Sequence, residues 1–250
     1  HVYSDLTTSV VREFTELQGV MGYYYAKNYG MSEKASRAVG EFYRPVSAKS
    51  PLPSSKEGAL VSLAGKLDTL ASDFALGLIP SGSEDPHGLR RAALGAVRII
   101  LENGFRLNLK NATGHVFAAL NIPMPQAVLL DFIWQRAEAV FTEAGYRFDE
   151  VKAVREFFMS GGDLLDCRDR VKDVNALRAN PDFAAIAMAF KRAKNILRQA
   201  KDPLSGIPDE AIFETNEEKT LYGDIKRLRG RLKVHVDSRD YAGGLQELLS

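Results

Sequence analysis

Apolar positions along this chain recur at steps of three and four residues and nowhere alternate in period two over a sustained run. The pattern predicts helices and no sheet. The stretch that organises the rest runs from Gly65 to Leu101. Its first part continues the spacing Leu63, Leu67, Leu70, Phe74, Leu78, which Pro80, Ser81 and Gly82 break. Asp85-Pro86 then reads as an N-cap followed by proline at the first helical position, where its missing N–H costs nothing. The helix that follows carries the apolar face Leu89, Ala92, Ala93, Ala96, Val97 and Ile100, and Asn103-Gly104 closes it. The product is a pair of helices joined by a stiff polar elbow.

Before this pair, Asp5 to Tyr29 opens with capping residues and continues as a helix with apolar positions Val10, Phe14, Leu17, Val20, Met21 and Tyr24. Gly19 and Gly22 weaken it by about 1 kcal/mol each against alanine and let another backbone come close. Ser32 caps a second helix reaching Tyr43, and Pro45 stops it. Residues 46–55 form a proline- and serine-rich loop, and Ser54 or Ser55 caps the helix leading into the central stretch. After it come a short helix from Thr113 to Leu120 and the clearest break in the chain, IPMP at 122–125, which marks a domain boundary. Further helices are predicted over Gln126–Ala144, Phe148–Met159 and Leu164–Leu177. Another begins at Asn180-Pro181-Asp182, with the core face Phe183, Ile186, Ala187, Phe190 and Leu197. A loop over 202–209 precedes two last helices, Glu214–Val236 and Arg239–Leu249. The fold class is all-α, with helices packed around two cores.

Composition narrows the chemistry. The chain has 250 residues, 45% of them apolar, enough for one large or two ordinary domains. Its 33 basic and 32 acidic residues leave a net charge of +1, which excludes a uniformly basic coat but permits local patches. The single Cys167 excludes an internal disulfide and a cysteine-rich metal site, fits a reducing compartment, and reads as a structural thiol. No apolar run is long enough for a membrane span. His1, followed directly by an amphipathic segment, reads as the start of a piece excised from a longer chain. The histidines His1, His87, His115 and His235 form no i,i+3 or i,i+4 pair, so no helical metal pair is available.

Three sets of cations stand out. Arg91 and Arg98 are seven residues apart and share a helix face, with Arg90 beside them; planar guanidiniums presented this way suit carboxylate or phosphate. They serve equally well as a solvated face or a bridge to a neighbouring helix. Lys191, Lys194, Arg198 and Lys201 line one face, bordering the apolar one, so their stems can lie along the core edge. Between Lys219 and Lys233 there are six basic residues (Lys219, Lys226, Arg227, Arg229, Arg231, Lys233) against Asp224 alone. Such patches follow a phosphate backbone or merely solvate a helix.

Beyond pattern, three runs occur in a particular order. They are EFTELQGVMGYYYA (Glu13 to Ala26), LAGKLDTL (Leu63 to Leu70) with IPSGSEDPHGLRRAALGAVRII (Ile79 to Ile100), and AGYRFDEVKAV (Ala144 to Val154), the last followed by DLLDCRDRVKDVNALR and AFKRAKNIL. Together they resemble the β subunit of the bacterial heterotetrameric glycyl-tRNA synthetase, over nearly the whole chain. The resemblance implies an HD-like helical domain at 1–121, followed by a helical-bundle linker domain at 122–202 and the start of a truncated helical anticodon-binding domain at 203–250. It implies a cytoplasmic ligase of α2β2 form whose ATP and glycine are used by the α subunit, so that this stretch needs no cofactor, no metal and no catalytic residue of its own. The implied partners are glycine tRNA and the α subunit, with no membrane. The implied tRNA-binding residues are Arg90, Arg91, Arg98, Lys191, Lys194, Arg198, Lys201, Lys226, Arg227, Arg229 and Arg231.

HD domains that hydrolyse phosphate esters hold one or two divalent ions with histidines and aspartates. This chain has no His-Asp dipeptide. Gly65 stands where the superfamily pattern has its late aspartate, and Phe42, in EFYRP, stands where the resembling family commonly has histidine. Both are departures from that family as well. Asp68, three residues on, serves as a salt-bridge partner or a binding residue. The expectation is a helical shell that has lost its metal site. The alternatives are a metal-dependent HD-type phosphohydrolase acting on nucleotides, which the missing ligands oppose, and a helical scaffold for protein partners.

Overall fold

The computed structural model describes residues 2–81, 84–120, 126–181, 183–199 and 208–248. Among these the chain is helical, with no strand. The helices are α1 (Ser9–Glu13), α2 (Val20–Asn28), α3 (Glu33–Glu41), α4 (Lys56–Ala75), α5 (Leu89–Asn103), α6 (Leu109–Leu120), α7 (Gln126–Glu143), α8 (Phe148–Ala153), α9 (Arg155–Met159), α10 (Leu164–Leu177), α11 (Phe183–Gln199), α12 (Asn216–Ser238) and α13 (Tyr241–Glu247). Packing divides the chain into two compact units, residues 1–168 and 169–250. The boundaries expected at 121/122 and 202/203, including IPMP at 122–125, fall outside the described residues. No described helix is long and apolar enough to cross a membrane.

The first unit is built on α4 and α5, which pack chiefly on each other, with α3 and α6 on α4 and with α7 on α5. The expected faces meet there: Leu63, Leu67, Leu70 and Phe74 of α4, and Leu89, Ala93, Ala96, Val97 and Ile100 of α5, are buried. Leu78 is not part of that face. The helix ends earlier, because Gly77 takes φ +77° and the Leu78 amide bonds back to the Asp73 carbonyl at 2.9 Å. This is the left-handed glycine termination of a helix, and it leaves Leu78 exposed. α7 is apolar on several sides. It buries Leu129, Leu130, Phe132, Ile133, Trp134, Ala137 and Phe141, with Trp134 stacked among Phe141 and Phe158.

The segment from Asp5 to Tyr29 departs from the continuous helix its periodicity predicts. It is broken into short turns, α1 and α2, and its expected core positions Val10, Phe14, Val20 and Tyr24 are exposed. Gly19 is the break, at φ +80°. Its amide donates to buried Asp5 at 2.7 Å, whose other oxygen accepts from the Tyr43 hydroxyl at 2.7 Å. A tertiary clamp thus overrides the local pattern. The close backbone approach expected of Gly19 is present: a Cβ there would lie 2.7 Å from the Gly40 carbonyl oxygen.

Three capping details matter for the site. Ser55, not Ser54, caps α4. Glu41 then clamps that end, accepting from the amides and hydroxyls of both Ser54 and Ser55 at 2.5–3.1 Å. Burial pushes its carboxyl up, but these donors outweigh it and hold the group below the ordinary range. Asp85 does cap α5, though not as its N-cap residue. The helix starts three residues later than expected, behind Gly88 in the left-handed region. The Asp85 carboxylate reaches across a turn to the amides of Arg90 at 3.1 Å and Arg91 at 3.4 Å. Downstream, the predicted helix Phe148–Met159 is two pieces, parted at Val154.

In the second unit, α12 and α13 form a hairpin that buries Tyr241 and Gly244, and Arg170 lies 4.2 Å over the Tyr241 ring. Thr215 and Glu218 make a reciprocal capping box at the start of α12. The core face expected on α11 is only partly covered where its side chains are described: Phe183 is half-buried, whereas Phe190 and Leu197 are exposed, as are Met188 and Ile196. Periodicity specifies the face a helix can bury, not that a partner covers it.

Candidate functional site

Phe42 caps the end of α3, and its ring lies on Gly65 of α4: a Cβ at Gly65 would be 2.4 Å from two ring carbons. The ring is buried and meets Tyr3 and Tyr43 edge-on. Phe42 and Gly65 border a cavity of about 140 Å³ together with Tyr43, Ser62 and Lys66. Neither Phe42 nor Gly65 has a side-chain atom that ligates a metal, and among the described residues no three His, Cys, Asp or Glu side chains gather as a ligand set. The Ser62 hydroxyl donates to the Arg44 carbonyl at 2.5 Å. Burial raises the Tyr43 phenol above its ordinary range, and its bond to Asp5 adds to this. Burial pushes the Lys66 amine down to about 8; its one polar contact is the Tyr43 carbonyl at 3.4 Å. Asp68 is exposed.

The arginine helix distributes its three cations differently. Arg90 is half-buried at the first turn of α5, where its Nη1 donates to the Glu84 carbonyl, and it borders a cavity of about 360 Å³ with Arg136 of α7. Arg91 is exposed, with its Nε 4.0 Å from Asp85. Arg98 is engaged in packing: its Nη1 donates to the carbonyls of Ala48 at 2.8 Å and Ser50 at 3.0 Å, and its Nε to Glu102 at 3.2 Å. It ties the 46–55 loop to α5. The shared face of Arg91 and Arg98 therefore presents one exposed guanidinium and one used as a bridge. Periodicity could not separate these roles, because the partner of Arg98 lies 48 to 50 residues away in sequence.

On α11, Lys191, Lys194 and Arg198 are exposed. Among the described residues none has a carboxylate within ion-pair distance. Lys201 lies outside the described residues. The α12 cations are mostly engaged: Lys226 with Glu210, Arg227 with Asp224 at 2.6 Å, Arg231 with Glu247 at 2.7 Å and Lys233 with Asp237 at 2.8 Å. Arg229 is exposed and among the described residues makes no such pair. His115 contacts its own helix at the Asn111 carbonyl, and His235 faces Asp240 at 2.8 Å. Cys167 is fully buried.

A residue absent from the sequence-derived set, Arg136, shares the cavity of Arg90. It stands in an unremarkable WQRAEA run and has no spacing relation to the other cations, so only the tertiary packing of α7 on α5 brings it there.

Residues 2–156 match the family model described as "Glycyl-tRNA synthetase beta subunit". The chain is also similar to proteins named "Glycine–tRNA ligase beta subunit". It is 39% identical to that of Solidesulfovibrio magneticus, covering 98% of this chain and 36% of the relative. Identity is 37% to that of Pseudomonas fluorescens, over 98% and 36%, and 38% to that of Aromatoleum aromaticum, over 97% and 35%. The chain thus spans about a third of the length of these relatives.

Proposed function

The chain belongs to the glycyl-tRNA synthetase β-subunit family, and from that premise we propose that it is a tRNA-binding part of a glycine–tRNA ligase. In this reading its helical surfaces position glycine tRNA while the α subunit of an α2β2 assembly in the cytoplasm activates glycine with ATP. The match along 98% of the chain carries the reading. The exposed cations of α11, which have no carboxylate partner among the described residues, support it, because cations left free of carboxylates are available to neutralise phosphates. A-form RNA is gripped largely through its backbone and shape, which asks for placed cations rather than a catalytic constellation.

The first unit has, in this reading, the shell of an HD domain without its metal chemistry. The residues present do not fit a metal: the positions that would supply ligands are Phe42 and Gly65, and the Phe42 ring fills the space over Gly65. No step is assigned to a metal here.

Filter binding of glycine tRNA to the protein at two salt concentrations tests the proposal. Binding at low salt that weakens steeply at high salt is expected. No binding at low salt removes the reading.

A further inference from the structure

Among the described residues Arg136 donates no hydrogen bond to another protein group. Its guanidinium lies 4.6 Å over the Phe132 ring. The Nε is buried and has no hydrogen-bond partner, and among the described residues no carboxylate lies within ion-pair distance. A guanidinium carries five N–H donors and accepts nothing. A buried donor without a partner is uncommon enough in folded proteins to call for a reason.

The surroundings sharpen the point. Arg90 borders the same cavity of about 360 Å³, its Nη1 donating to the Glu84 carbonyl, so two arginines line one space. Burial, and next the positive charge of Arg90, hold Arg136 below the ordinary arginine range, with Asp85 acting the other way. Two carboxylates nearby are already engaged: Asp85 by the α5 amides, and Asp131, also at the cavity, by Arg155 at 2.6 Å. Like charges sharing a partly buried space, with the local carboxylates occupied, describe a site built for an anion that arrives from outside.

We propose that Arg136 and Arg90 form a binding site for a phosphate oxyanion of the RNA backbone, held in the cavity between the end of α4, the start of α5 and α7. The planar fork of Arg136 suits two oxygens of one phosphate. The proposal rests on the RNA-binding reading above and names a further residue for it. Free phosphate offers the same oxyanion, and a carboxylate offers a similar one, so the test separates them.

Wild type, Arg136→Gln and Arg136→Lys are compared in three measurements: glycine tRNA titrations across a salt series, thermal unfolding, and the arginine Nε–H NMR signals during titration with inorganic phosphate or acetate. Arg136→Gln is expected to bind RNA about three- to tenfold more weakly at low salt, with a log–log salt slope shallower by about 1. Its thermal midpoint should stay level or rise, because an unsatisfied donor and a repulsion with Arg90 are removed together. Arg136→Lys should restore the slope but not the full affinity, keeping charge without the fork. A lowered midpoint with an unchanged slope would show a packing residue and overturn the site. Equal RNA affinity and slope in wild type and Arg136→Gln overturn the site and leave the RNA-binding reading standing. If wild type ignores RNA while phosphate shifts an Nε–H signal absent from Arg136→Gln, the oxyanion site stands and the RNA source falls with that reading. A shift with acetate but not phosphate makes it a carboxylate site and overturns the proposal.

Discussion

The Phe42 ring lies where a side chain at residue 65 would begin, only 2.4 Å from an ideal Cβ. Glycine to alanine inside a helix ordinarily gains up to about 1 kcal/mol. Here the added carbon meets the edge of a buried aromatic ring, and overpacking of this kind costs about 1–3 kcal/mol. Gly65→Ala is therefore expected to be destabilising by about 1–2 kcal/mol in urea unfolding, whereas in a Phe42→Ala background the same change is neutral or stabilising, a coupling between touching residues. Additive effects of the two changes would contradict the packing. Lys66, one residue on, sets a pH dependence. Its amine is held at about 8 in the fold against an ordinary 10.5, so between those values the unfolded chain binds more protons than the folded one. Stability then rises with pH across that window, and charging Lys66 below it is a cost. Lys66→Met should flatten the rise and add about 1–3 kcal/mol at pH 7. A rise of the same size in wild type and variant, measured by denaturation from pH 7 to 10.5, assigns it to another group.

At the scale of elements, helices here are ended and begun by groups that local sequence only partly announces. The carboxylate of Asp85 serves two α5 amides from outside the helix, where both its hydrogen bonds and its charge oppose the exposed N–H groups. Asp85→Ala should destabilise the protein by about 1–2 kcal/mol, and Asp85→Asn by less, since the amide oxygen still accepts but the charge is lost. Equal stability of all three proteins in urea would mean that this carboxylate does not hold the helix start. Glu41 plays the same part for α4 from the neighbouring helix. The alanine-rich face of α5 and the Gly104 stop were legible because each depends on residues within a turn or two. Asp85 was legible as a cap but not in its register, because a turn through Pro86, His87 and left-handed Gly88 intervenes.

For the whole molecule, a net charge of +1 hides uneven use of that charge. The α12 stripe spends four of its cations on ion pairs, whereas the α11 cations Lys191, Lys194 and Arg198 have none among the described residues. Exposed pairs are weak, about 0–1 kcal/mol each, yet a phosphate must displace the resident carboxylate before it gains the cation. Replacing Lys191, Lys194 and Arg198 together by glutamine should therefore lower the salt slope of tRNA binding by about 2–3, and the same treatment of Lys226, Arg227 and Arg231 by less. The reverse order in the titrations would place the main contact on α12.

The all-α class, the mutually buried faces of α4 and α5 and the family's motif order were set by the sequence alone, because each rests on short-range periodicity or on residue order along the chain. The tertiary structure decided which of those cations are free, that Asp5 breaks the first helix by clamping Gly19 to Tyr43, and that Phe190 and Leu197 of α11 stay exposed. It also brought Arg136 to Arg90. These outcomes depend on partners tens of residues away, and a pattern read along one dimension carries no information about which side chains the fold will bring into reach.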